Sequence, residues 1–181
     1  MPTRLEYNPR VGYGRRMARS KLVSDTDVLE ATRRVMLRQG SERFTLSDVA
    51  AEVGLSRAAL IQRFENKAGL ASRLATHQLE GLQRLIAAHP VPNKGPRQVL
   101  PFLDKALEGF DISVLLADPA ATGLLREAIV SRLDEPSRQR AAEVADMLMT
   151  VLAGAAAEGD RAHIAGRLRL ALRLIYAGRP A

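Results

Sequence analysis

From Asp25 onward, apolar residues recur three and four positions apart, and runs that alternate at every second position are missing. That period lines apolar side chains along one face of a helix and offers a strand nothing to bury. The pattern predicts an all-α chain. The first helix starts near Ser24–Thr26, buries Val28, Leu29, Thr32, Val35 and Met36, and ends at Gly40, a residue suited to the left-handed turn after a helix. Thr45, followed by Leu-Ser-Asp, begins the second helix with a capping-box-like pattern. This helix presents Leu46, Val49, Ala50 and Val53 and stops at Gly54. Ser56 caps a short third helix whose Leu60 and Phe64, four apart, share one face. A long fourth helix begins near Asn66–Lys67 and carries Leu70, Leu74, Leu82, Leu85 and Ile86.

Between His89 and Pro96 the period breaks at Pro90, Pro92, Gly95 and Pro96. Four helical segments follow. One covers about 97–117, with Pro101 near its first turn or kinking it. The next opens at Asp118-Pro119, where Asp caps and Pro takes the first helical position. The third runs from near Pro136 to Ala157, and the last from Asp160 to a stop before Gly178. This divides the chain into an arm over 1–24, a three-helix unit over 25–68 and a helical bundle over 69–181.

Thr45–Phe64 reads as helix, glycine turn, helix, with an earlier helix to pack on, which is the helix-turn-helix arrangement. Gly54 permits the positive φ of a sharp turn, and Leu55 plugs the small core there. Ser56 leaves the N–H groups at the start of the third helix facing outward, where they suit a phosphate. At about 100° per residue, burying Leu60 and Phe64 turns Ala58 and Gln62 to the opposite face. Arg57 in the first turn can reach outward, and Ala59 flanks the same face. Small residues at one end let such a helix sit deep in a major groove. There Gln62 can bond adenine and Arg57 can pair with guanine.

Charge sharpens this picture. The chain has 181 residues and a formal net charge of +7. Residues 1–24 hold six basic residues against Glu6, net +5, including Arg15, Arg16, Arg19 and Lys21. Residues 25–80 balance eight against eight, and 81–181 hold thirteen basic and eleven acidic. Most of the excess is therefore the arm, which reads either as a nucleic-acid contact or as a solubilising tail. The absence of cysteine excludes a disulfide framework, Cys-ligated metal and thiol catalysis. The three histidines stand far apart, outside metal-binding spacing. Gly54-Leu-Ser56-Arg-Ala departs from a nucleophile elbow at its fifth residue and follows no strand. No cofactor is implied and the chain is not read as an enzyme. No apolar run approaches the roughly 20 residues of a membrane span, and the basic N-terminus lacks a secretory signal. The expected compartment is the cytoplasm.

Val28–Leu70 resembles the DNA-binding domain of TetR-family transcriptional regulators. The matching positions are Val28-Leu29, Ala31, Gly40, Thr45, Ala50, Gly54-Leu55-Ser56, Leu60, Phe64 and Lys67. Ile61 and Arg63 stand where that family usually has Tyr and His. The resemblance implies that Thr45, Arg63 and Lys67 hold phosphates and that Arg57, Ala58, Ala59 and Gln62 face bases. It also implies a ligand-responsive repressor that binds a pseudo-palindromic operator as a homodimer, with a small-molecule effector in the C-terminal bundle. The other reading is a helical protein-interaction module whose helix-turn-helix no longer reads DNA.

In the bundle, Phe102, Phe110, Met147 and Met149 read as ordinary core or as the lining of an effector cavity. Members of the family usually dimerise through their last two long helices, and this chain stops one helix short of that pattern. The segments 136–157 and 160–176 are the candidate interface, through Val144, Leu148, Val151, Leu168, Leu172 and Ile175. The stripe Ile164, Leu168, Leu172 and Ile175 must pack inward or on a partner.

Overall fold

The computed structural model describes residues 23–91, 93–158 and 161–177. Among them it shows helices and no strand: α1 (Asp25–Gln39), α2 (Leu46–Val53), α3 (Arg57–Phe64), α4 (Lys67–Ala88), α5 (Pro96–Gly109), α6 (Ile112–Ala117), α7 (Pro119–Arg132), α8 (Arg138–Glu158) and α9 (Arg161–Tyr176). No helix among these residues is long and apolar enough to cross a membrane.

Side-chain caps open the first helices where the sequence places them. Ser24 Oγ accepts from the Asp27 amide at 3.1 Å, and Asp27 Oδ2 accepts from the Ser24 amide at 3.0 Å. Thr45 and Asp48 repeat this reciprocal arrangement at the start of α2. Each pair satisfies two amides that a helix start leaves open, worth about 1 kcal/mol per cap. The buried face of α1 comprises Val28, Leu29, Ala31, Thr32, Val35 and Met36. Together with Phe44, Val49, Leu60 and Phe64 these apolar side chains form one core, which Leu70 and Leu74 of α4 complete. The second core joins Leu82 of α4 to Phe102, Leu103, Leu125, Ile129, Leu148, Leu152 and Leu168. At 22 residues, α4 spans about 33 Å and takes part in both cores, so it links the two units mechanically.

The stretch 97–117 is not one helix but two. α5 ends at Gly109, and Phe110 and Asp111 have extended backbones. Asp111 Oδ1 then caps α6 by accepting from Ser113 and Val114 amides at 3.0 and 3.3 Å. Gln78 of α4 accepts from the Asp111 amide at 2.8 Å and pins the corner. Glycine and aspartate carry the stop and the cap, but the apolar period runs on through them and conceals the break. Pro101 lies inside α5. At the far end of α4, the buried Arg132 guanidinium donates to Ala128 O at 2.8 Å and to His89 O at 2.7 Å. Two helix C-termini thus supply the negative ends that a buried cation needs.

Candidate nucleic-acid interface

Gly54 adopts φ 69° and ψ 29° after α2, and the Leu55 amide reaches back to Ala50 O at 2.9 Å. That left-handed turn swings α3 sharply away from α2, a conformation glycine adopts without a Cβ clash. Leu55 packs half-buried against the N-terminal core. Ser56 Oγ accepts from the Ala59 amide at 3.1 Å, while the amides of Arg57 and Ala58 have no acceptor within the helix. Leu60 and Phe64 are buried, at 0% and 3% exposure. Arg57, Ala58, Ile61 and Gln62 are exposed and Ala59 is half-buried. One face of α3 is therefore locked into the core, and the opposite face presents small residues, an amide and a cation.

Sequence could not show what the flanking cations touch. Arg63 Nη2 donates to Val23 O at 2.7 Å, and its Nε lies 3.5 Å from Asp25 Oδ1. It ties the end of α3 to the start of α1. Lys67 Nζ donates to Glu42 O at 2.6 Å and sits 4.5 Å above the Phe44 ring. The Thr45 hydroxyl donates to Asp48 Oδ2 at 2.7 Å. All three side chains thus spend donors inside the unit and position its loops. Arg57, and also Arg43 in the turn before Thr45, are exposed cations with no ion pair among the described residues. Arg43 was not singled out from sequence; its signal is a basic residue two positions before a helix cap. Arg15, Arg16, Arg19 and Lys21 lie outside the described residues.

α3 is also held tightly against α4. Glu65 has φ 66°, and the Asn66 amide closes onto Phe64 O at 2.7 Å. A Cβ added to Gly69 would lie within 2.2 Å of that same carbonyl. Glycine is needed there because α4 begins directly against the last turn of α3.

Residues 28–74 match the family model described as bacterial regulatory proteins, tetR family. Residues 28–74 therefore carry the sequence pattern of that family's N-terminal domain. No curated protein matches the chain in sequence. Among solved structures, a protein of Pseudomonas aeruginosa PAO1 described as a transcriptional regulator is 16% identical with a TM-score of 0.55, over 89% of this chain and 96% of that one. A TetR-like transcriptional regulator from Rhodococcus sp. RHA1 is 17% identical, with a TM-score of 0.49 over 86% and 96%. The TetR family repressor AlkX of Dietzia sp. strain DQ12-45-1b is 17% identical, with a TM-score of 0.43 over 83% and 94%. The Pseudomonas match, at its low identity, is a likeness of fold, and it takes in the bundle as well as residues 28–74.

Behind the helix-turn-helix unit, the residues expected to line an effector cavity do not converge. Phe102 is buried beneath Arg132, whose guanidinium carbon lies 3.9 Å from the ring centroid. Phe110 packs on Gly81, and Met147 on α8 is 53% exposed. The expected interface residues divide in the same way. Val144, Leu148, Leu168 and Leu172 are at most 2% exposed, inside the chain's own core, while Val151 and Ile175 are half-buried. α8 and α9 pack on each other through these residues, so their apolar stripe is already covered. A second apolar face points outward instead. It carries Met147, Leu170 at 54% and Leu174 at 67% exposure, beside a shallow hollow of about 400 Å³ bordered by Val151 and Ala171.

Proposed function

We propose that this protein is a TetR-like transcriptional regulator that binds duplex DNA through α3 and acts as a ligand-responsive repressor. The observation that carries this reading is the two-sided α3: Leu60 and Phe64 in the core, Arg57, Ala58 and Gln62 free on the other side. A short helix held so rigidly can enter a major groove with its first turn against a phosphate and Gln62 toward a base edge. Arg43 and Arg57 add positive charge on the same unit. The fold match and the family model support the assignment. No catalytic reaction belongs to it.

Homodimerisation completes the reading. A pseudo-palindromic operator requires two copies related by a two-fold axis. The outward face of α8 and α9, with Met147, Val151, Leu170 and Leu174, supplies a self-complementary apolar patch in place of the buried stripe. An effector would change operator affinity only by binding one dimer shape better than the other. Selection from a random duplex pool tests the assignment. The expected product is a pseudo-palindrome with half-sites about one helical turn apart. Failure to enrich any sequence would favour the protein-interaction module.

A further inference from the structure

We propose that the cleft between the helix-turn-helix unit and α6–α7 binds a small molecule with an apolar body and a single carboxylate. The regulatory consequence rests on the function proposed above; the binding itself does not. The cleft is open to solvent and offers about 750 Å³, within the ~300–1,000 Å³ range of small-molecule sites. Met36 and Phe44 wall it on one side, and Val114 and Ala117 on the other. α4 contributes Ala68, Ala71 and Ala75, spaced three and four apart on one helix face. Larger side chains there would close the gap between the two units.

Charge selects the ligand. Lys67 is the single cation of the lining. It gives one donor to Glu42 O, and an ammonium has three. Asp118, the single carboxylate of the lining, already accepts from the Ala120 and Ala121 amides at 2.8 and 3.3 Å, at the positive end of α7. Asp118 thus has acceptor sites occupied at a helix N-terminus, while Lys67 keeps donors to offer and has no ion pair among the described residues, so a carboxylate answers Lys67 while the apolar body fills the alanine face. One turn beyond Ala75 along α4 lies Gln78, 2% exposed, whose Nε2 has no hydrogen-bond partner among the described residues while its Oε1 holds the Asp111 amide. Gln78 Nε2 is thus a buried donor left without an acceptor at the contact of α4 with α6. A ligand wedged between the two units would move α1–α3 relative to the bundle. It would also compete for Lys67 at the edge of the DNA-facing surface.

The full chain is titrated with decanoate and with decanol by calorimetry. One saturable decanoate site per chain is expected, at least about tenfold tighter than decanol because the charge pairs with Lys67. Ala71→Phe and Ala75→Leu fill the cleft; each should lose decanoate binding by about tenfold or more while keeping the helical circular dichroism spectrum. Lys67→Gln should bring decanoate down to the affinity of decanol. Decanoate should weaken wild-type binding to the selected duplex by about tenfold and leave Ala71→Phe unaffected, and duplex should weaken decanoate binding by the same factor. No saturable decanoate binding, equal binding of decanol, or wild-type binding by both filled variants overturns the site. A chain that takes decanoate in the cleft but binds no duplex overturns the regulator reading and leaves the site standing. A chain that binds duplex but not decanoate does the reverse.

Discussion

Gln62 leaves α3 on the side away from Leu60 and Phe64, and it is the longest polar side chain on that face apart from Arg57 and Arg63. Gln62→Ala should relax preference at one base pair per half-site and cost about 1–3 kcal/mol on the preferred duplex, with little change on others. Binding to a panel of single-base operator variants would show this, and a uniform loss across the panel would place Gln62 on the backbone. Glu52 acts on the fold instead. It accepts from Arg38 Nη2 at 2.6 Å and from Arg34 Nε at 3.1 Å, and these bonds hold its pKa below the ordinary value of 4.5. A carboxylate depressed in the folded state stabilises it above the unfolded pKa and loses that contribution as pH falls through the folded one. The Tm gap between wild type and Glu52→Gln should therefore be present at neutral pH and shrink below about pH 4.5. A gap that grows in acid would contradict the clamp. Caps and core faces at this scale were legible from local spacing. The contacts of Arg63 and Lys67 were not, because Val23, Asp25 and Glu42 reach them only through the packing of α1 on α3 and α4.

Helices were legible where a stop and a cap coincide with a break in the apolar period, as at Gly54-Leu-Ser56 and Asp118-Pro119. They were missed at Gly109-Phe-Asp111, where the period continues through the corner. α9 shows a related limit. Its sequence carries two apolar stripes, and periodicity cannot say which faces the chain's own core. The structure buries Leu168 and exposes Leu170 and Leu174. Leu168→Glu should therefore bury an unpaired carboxylate and destabilise the fold by at least about 3 kcal/mol. Leu170→Glu and Leu174→Glu should each change monomer stability by no more than about 0.5 kcal/mol, yet disrupt self-association if α8 and α9 form the dimer. Urea unfolding paired with sedimentation would separate these effects. A fold indifferent to Leu168→Glu would contradict the packing of α9.

For the whole molecule, α4 places fully buried residues in both described cores, and α6 joins them too, with Ile112 and Leu115 in the second and Val114 packed on the first, so a signal between the bundle and α3 has these two helices to pass along. The division into a helix-turn-helix unit and a bundle could be read from the Gly and cap residues, whereas the cleft arises from how α6 and α7 sit against α4 and has no local signature. The activity proposed for this fold is electrostatic binding of duplex DNA through the α3 unit. Fluorescence anisotropy with the selected duplex over a range of salt concentrations tests it most directly. With about three phosphates neutralised per subunit, the log–log slope for the dimer should be about −5 or steeper. A slope near zero, or no binding at low salt, would contradict the account.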